Sequence, residues 1–121
     1  DQGLADSQYM MGHACSLGWG QPENDTDAAM WFRLAAEQGY ADAQLRLGLL
    51  YSFGEGVEKD FAEAYAWMNL AAMIGGVRFD AARAAKGRDL FARTLSQKQL
   101  KIARKRAAEL IKEYESGFTQ R

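Results

Sequence analysis

The 121-residue sequence contains one cysteine, one histidine and no apolar run near the ~20 residues that cross a bilayer. A single cysteine excludes an internal disulfide, and no pair of ligand residues stands at metal-binding spacing. His13 and Cys15 cannot form a nucleophile–base pair, because residues two apart on a helix point roughly 200° away from each other. No glycine-rich loop follows a strand to hold a phosphate. We therefore predict no catalytic residue, no metal, no cofactor and no small-molecule substrate, and we expect the protein not to be an enzyme.

The net charge is small, but the charged residues are unevenly distributed. The net charge is −1, yet residues 1–76 carry 3 Lys and Arg against 11 Asp and Glu, and residues 77–121 carry 12 against 5. The first part is therefore acidic and the last part basic. This asymmetry bears on partners and on self-association, where the acidic part of one molecule would attract the basic part of another, and says nothing about the fold.

An internal repeat dominates the sequence. The opening DQGLADSQ returns as EQGYADAQ at 37–44, with five of eight positions identical, and residues 5–40 align with 41–76 without a gap at thirteen identical positions. In each copy the second half has apolar residues at i, i+3, i+4, i+7 and i+8, beginning at Ala28 and at Ala64. This spacing predicts a helix with one buried stripe. The first half of each copy carries a second stripe, through Cys15 in copy one and through Leu47 in copy two.

The segment between the two stripes of copy two is the loop GEGVEKD, residues 54–60. Gly54 and Gly56 suit backbone angles that other residues avoid, and Asp60 is placed to cap the following helix. Gly39 and Gly75 follow the second stripes, where glycine commonly ends a helix. Each copy is thus predicted to be a helix–loop–helix hairpin, and stacked hairpins build an α-solenoid.

The pattern A-x-x-Q-x-x-x-G … G-x-G … A-x-x-W-x-x-x-A-A-x-x-G resembles the Sel-one-like repeat family, whose members are relatives of tetratricopeptide repeats. The resemblance implies an all-α, right-handed superhelical solenoid and a non-catalytic adaptor or scaffold that binds a protein or peptide. Bacterial family members are common in the periplasm. We interpret the chain as one domain with four parts: 1–4, the end of a truncated upstream repeat; 5–40, repeat one; 41–76, repeat two; and 77–121, a degenerate third repeat with a C-terminal capping helix.

By analogy with tetratricopeptide repeats, the first helix of each hairpin lines the concave surface. Side chains off its buried stripe would then contact the partner, and their mixture of aromatic, aliphatic and acidic groups suits an apolar anchor on a partly basic protein or peptide. The alternative for the aliphatic members is that they only pack against each other or the neighbouring repeat. The predicted partner-binding residues are Asp6, Tyr9, His13, Ser16, Leu17, Asp42, Leu45, Leu49, Ser52 and Phe53.

The basic C-terminal part favours a different interpretation, a solvated end cap. Ser96 and Gln99 form a predicted capping box, and the helix after them has Leu100, Ala103, Ala107, Leu110 and Tyr114 on one side. The alternative function is electrostatic binding of nucleic acid or an anionic surface through Lys98, Lys101, Arg104, Lys105 and Arg106. The aromatic residues of this part, Phe79, Phe91 and Tyr114, look like core and offer no stacking platform for bases.

The opening of the chain predicts an uncovered surface. If an upstream helix is missing, the stripe around Met10 and Met11 is exposed. An exposed apolar stripe favours self-association through this end of the molecule.

Overall fold

The computed structural model describes residues 2–18, 24–75 and 81–118, and these residues form six helices and no strand. The helices are α1 (Gln2–Leu17), α2 (Asp25–Glu37), α3 (Ala41–Phe53), α4 (Phe61–Ile74), α5 (Ala81–Ala92) and α6 (Gln97–Glu115). α1 packs on α2 and α3 on α4, and the hairpins stack because α2 contacts α3 and α4 contacts both α5 and α6. The prediction of an all-α solenoid of hairpins is confirmed.

The second helix of each hairpin starts in a strict register. The N-cap residues Asn24, Asp60 and Ser96 are 36 residues apart. The Asp60 carboxylate accepts from the amides of residues 62 and 63 at 3.0 and 3.1 Å, as predicted, and Ser96 forms the predicted capping box with Gln99. The 36-residue spacing of the N-caps therefore persists to α6, although few residue identities do, and α5 and α6 pack mainly on α4 rather than on each other.

Most of the glycines predicted to need a left-handed backbone have a positive φ. Gly54 and Gly56 have φ of 72° and 74°, and Gly39, just after α2, has φ of 90°. Gly75 also ends a helix, but its φ is −59°, so it needs no left-handed backbone. The predicted start of the third repeat, including Phe79, lies outside the described residues.

The core consists of the predicted stripes. The four alanines of α2 and three of the five in α4 are buried and let the neighbouring helices approach closely, whereas Ala72 of the predicted stripe is only partly buried. Trp67 fills the space beside the buried alanines with no exposure. One cluster joins α2, α3, α4 and α6, and a second joins Cys15 of α1 to Phe32 of α2 and Leu50 of α3. Cys15 is 3% exposed, which agrees with its predicted role as a buried thiol.

The C-terminal part closes the stack over α4. Ala103, Ala107 and Leu110 are buried, while Lys98, Lys101 and Lys105 are exposed on the other side of α6. After α6 the chain turns back, and the ring of Phe118 stacks on Trp67 at 6.1 Å between centroids with an interplanar angle of 16°. Phe118 adopts φ of 53°, which a bulky side chain rarely takes, and its burial against Trp67 holds it there. α6 is thus an amphipathic cap with a charged outer side.

Candidate functional site

The predicted partner-binding residues all lie on the first helices of the two repeats, five on α1 and five on α3. We call the surface that they form the first-helix face. Four of the ten are exposed, with Leu17 at 56% and Phe53 at 68%. The other six also pack against neighbouring side chains and are therefore partly buried. They are Tyr9, His13, Ser16, Leu45, Leu49 and Ser52.

An aromatic cluster is the most ordered part of this face. The rings of Tyr9 and His13, one helical turn apart, meet edge to face at 4.6 Å, and His13 meets Phe32 in the same way at 5.3 Å. Tyr9 also lies 4.9 Å from the ring of Tyr40, which precedes α3. These contacts fix the Tyr9 and His13 rings in place, so the face presents a preorganised aromatic surface.

Tyr40, the N-cap residue of α3, is tied to α1 by a hydrogen bond. Its hydroxyl donates to the Asp6 carboxylate over 2.7 Å. Burial of the hydroxyl, the hydrogen bond to Asp6 and the negative charges of Asp6 and Asp42 together raise the pKa of Tyr40 to about 12. The phenol therefore stays protonated at physiological pH and keeps donating to Asp6.

Two charged residues of α3 act on the aromatic cluster of α1. Burial raises the pKa of Tyr9, the Asp42 carboxylate adds to that rise, and the Arg46 guanidinium opposes it. Burial also lowers the pKa of His13, Arg46 lowers it further and Asp42 opposes the change. His13 is consequently a neutral imidazole near pH 7, which can donate or accept a hydrogen bond but carries no fixed charge.

The prediction from sequence missed Tyr40 and Arg46. Tyr40 occupies the turn between the repeats, and the residues of turns are not part of either helical stripe. Arg46 stands four residues after Asp42 on the same helix, a spacing that places two side chains on one face. That spacing was the available signal for Arg46.

The far end of the first-helix face is apolar. Leu17 and Phe53 are equivalent residues of the two repeats, both near the end of a first helix and both mostly exposed. Ser52 is less available, since its hydroxyl donates to the backbone oxygen of Leu49 over 2.7 Å. The face therefore runs from an acidic and aromatic end to an exposed apolar end.

One of the five residues predicted to form the alternative basic surface, Arg106, is engaged in contacts within the fold. Arg106 bonds to Glu63 of α4 and, over 2.6 Å, to Glu113 of its own helix. Burial alone would lower the pKa of the Arg106 guanidinium, but the hydrogen bonds to Glu113 and Glu63 outweigh it and raise the pKa. Including Arg106 among the nucleic-acid contacts was wrong, because its charge is already neutralised in holding α6 on α4.

Neither a cluster that could hold a metal ion nor a helix that could span a membrane occurs among the described residues. Among them, no three His, Cys, Asp or Glu side chains form a cluster that could hold a metal ion. None of the six helices, as far as the structure describes the chain, is long and apolar enough to cross a membrane.

Comparison with known proteins assigns the family. The Sel1 repeat model matches residues 5–40 and 41–76, so the chain belongs to the Sel1 repeat family. A protective antigen present in uropathogenic Escherichia coli strains, with an SLR fold, shares 32% identity over 96% of this chain with a TM-score of 0.81. A Sel1 repeat protein from Oxalobacter formigenes shares 44% identity over 70% of this chain with a TM-score of 0.61.

The chain spans only 24% of the length of each of these two solved proteins. No curated protein sequence gives a significant match. Sel1 repeats generally serve as protein-interaction modules and are typically non-catalytic. The resemblance stated from the sequence is confirmed at the level of family and fold.

Proposed function

We propose that the protein is a non-catalytic adaptor or scaffold module that binds a protein or peptide through its concave surface, the first-helix face. The observation that carries this proposal is the pair of exposed apolar side chains at equivalent positions, Leu17 at 56% and Phe53 at 68%. Exposed large apolar residues that recur with the repeat, beside an ordered aromatic cluster, are typical of an interaction surface.

The apolar and acidic side chains of the first-helix face favour one kind of partner. Leu17, Leu49 and Phe53 suit an apolar anchor, such as a Leu or an aromatic side chain. At the other end, the exposed carboxylates of Asp6 and Asp42 outnumber the single positive charge of Arg46 and suit a Lys or Arg. A segment with an apolar anchor at one end and a basic residue at the other therefore fits the face, and a strongly acidic segment does not.

A pull-down from the native source tests the proposal. The bait is the chain itself, compared with the double variant Leu17→Glu, Phe53→Glu, and bound proteins are identified by mass spectrometry. Both substituted side chains are exposed, so the variant should fold normally, which circular dichroism would verify. We expect the wild-type chain to retain partners that the variant loses by tenfold or more, since a buried glutamate opposes an apolar anchor.

The matched control places the same charge on apolar residues outside the face. Leu90 of α5 and Ile102 of α6 are 51% and 48% exposed, so Leu90→Glu, Ile102→Glu changes net charge by the same amount. This control should keep the partners. If the control loses them and the Leu17, Phe53 variant keeps them, the binding surface lies on the C-terminal part and the proposal is wrong.

A further inference from the structure

A positive charge lies in the middle of the first-helix face, between its acidic end and its apolar end. Arg46 of α3 follows Asp42 by four residues and precedes Leu49 by three, so these side chains share one side of the helix. Arg46 is exposed, and its guanidinium donates a hydrogen bond to the hydroxyl of Tyr9 on α1. The guanidinium therefore reaches from α3 to the aromatic cluster of α1.

No carboxylate among the described residues forms an ion pair with Arg46. Three other arginines do form such pairs: Arg33 with a glutamate of its own helix, Arg88 with the next residue, and Arg106 with a glutamate of α4. A guanidinium has five N–H donors in a planar fork, and a hydrogen bond to one hydroxyl leaves most of them unused. Arg46 therefore keeps both its charge and its donors available on the first-helix face.

A neutral imidazole stands near this guanidinium. The positive charge of Arg46 helps to lower the pKa of His13, so the two groups lie within electrostatic range of each other. Edge-to-face contacts with Tyr9 and Phe32 hold the His13 ring in position. An imidazole N–H can donate to the same carboxylate as a guanidinium. The middle of the face therefore suits an anionic group, whereas Asp42, one turn earlier on α3, suits a cationic one.

We propose that the partner segment carries an acidic residue, Asp or Glu, that pairs with Arg46 and stands between the segment's basic residue and its apolar anchor. This inference rests on the proposed function and adds the order of the charges along the partner. A segment with its two charges exchanged would meet a like charge at both positions, so the order gives specificity.

The rise of α3 sets the spacing of these three partner residues. At about 1.5 Å per residue, Arg46 lies about 6 Å along the helix from Asp42 and about 10 Å from Phe53. An extended segment advances about 3.3 Å per residue. The acidic residue of an extended partner should therefore lie about two residues from the basic residue and about three from the apolar anchor.

Charge reversal tests the pairing. Peptides are selected from a random phage-displayed library on the immobilised wild-type chain, and the tightest one is titrated by fluorescence anisotropy. Arg46→Glu should weaken its binding by about tenfold or more, and so should a lysine in place of the peptide's acidic residue on the wild-type chain. The two changes together should restore most of the affinity, because the reversed charges attract again. The matched control Arg104→Glu makes the same change of charge on α6 and should bind the original peptide like the wild type.

The outcomes separate this inference from the proposed function. Some peptides would lose binding to the variant Leu17→Glu, Phe53→Glu and so occupy the first-helix face. If these peptides contain no acidic residue, bind Arg46→Glu unchanged or show no restored affinity, the inference on Arg46 alone is overturned. If the selected peptides bind Leu17→Glu, Phe53→Glu like the wild type, or the selection yields no binder, the proposed function and this inference are both refuted.

The single histidine gives a second readout, because its ring resonances belong to one residue. The pKa of His13 is measured by nuclear magnetic resonance with the selected peptide bound, and again with a peptide whose acidic residue is replaced by the corresponding amide. The carboxylate should give the higher pKa, because a nearby negative charge favours the protonated imidazole. Equal values with the two peptides would place the acidic residue away from Arg46 and His13 and contradict the proposal.

Discussion

Hairpins one and two share thirteen identical positions, yet they sit in different surroundings. Hairpin two packs against α2, α5 and α6, whereas hairpin one packs mainly against hairpin two and meets α6 only near the end of α2. Trp67 is completely buried and stacks on Phe118, while its equivalent Trp31 is partly exposed. The same residue at the same repeat position therefore contributes differently to stability, and the difference comes from its neighbours.

The largest effect that tests this comparison is expected at the paired tryptophans. Trp67→Ala should lower the free energy of unfolding by roughly 3–5 kcal/mol, because it leaves a closed cavity beside fully buried alanines. Trp31→Ala should cost only roughly 1–2 kcal/mol, because solvent already reaches part of the ring. Chemical denaturation of both variants measures the two losses. Equal losses would mean that the two hairpins are equally enclosed and would contradict the comparison.

The paired leucines extend the same test to smaller side chains. Leu70 is 1% exposed and Leu34 is 39% exposed. Leu70→Ala should destabilise the fold by about 2–4 kcal/mol and Leu34→Ala by less than about 1 kcal/mol. Both losses are measured by chemical denaturation in urea. A loss at Leu34 as large as that at Leu70 would show that the two leucines are equally enclosed.

The N-caps should give an effect of intermediate size. Asp60 accepts two backbone hydrogen bonds and carries a negative charge at the start of α4, whereas Asn24 accepts one, over 3.0 Å, without a charge. Asp60→Ala should therefore cost about 1–2 kcal/mol and Asn24→Ala about 0.5–1 kcal/mol in thermal or chemical unfolding. The conservative change Asp60→Asn should recover most of the loss. If it recovers nothing, the charge of Asp60 matters more than its capping geometry.

The smallest expected effect is a change in the pH dependence of folding stability, at a position where the two repeats have chemically different side chains. His13 of repeat one corresponds to Leu49 of repeat two, and burial and Arg46 hold the His13 pKa below its ordinary 6.5. As the pH falls through that ordinary value, the unfolded chain binds a proton that the folded chain resists, so the folded state loses stability. His13→Leu removes this contribution.

Melting temperatures at about pH 7.5 and about pH 5.5 measure the effect, because carboxylates titrate mainly below that range. Between these two pH values, the melting temperature of the wild type should fall by more than that of His13→Leu. An identical decline in both proteins would show that His13 titrates as it does in the unfolded chain.

Much of the fold followed from the sequence because it depends on local patterns. The helical stripes, the loop glycines at 54 and 56 and the caps at Asp60 and Ser96 each rest on residues within one or two turns of each other. The 36-residue repeat then predicted the stacking, since two copies of one hairpin bury equivalent faces.

The parts that the sequence did not predict depend on distant contacts. Phe118 reaches Trp67 from the segment after α6, and Arg106 bonds to Glu63 across 43 residues. Neither contact has a periodic signal, so Arg106 was predicted to belong to the alternative electrostatic binding surface and not to an ion pair. Tyr40 was missed for the related reason that a turn residue belongs to no stripe, although its hydrogen bond to Asp6 ties α1 to the start of α3.

The central claim is that the first-helix face binds a protein segment, and amide chemical shifts test it most directly. A peptide selected from a random library on the immobilised chain would be titrated into the ¹⁵N-labelled protein. We expect the largest shifts at Tyr9, Asp42, Leu49 and Phe53, with an apolar anchor and a basic residue common to the selected sequences. Shifts confined to α5 and α6 would contradict the claim and assign binding to the C-terminal part.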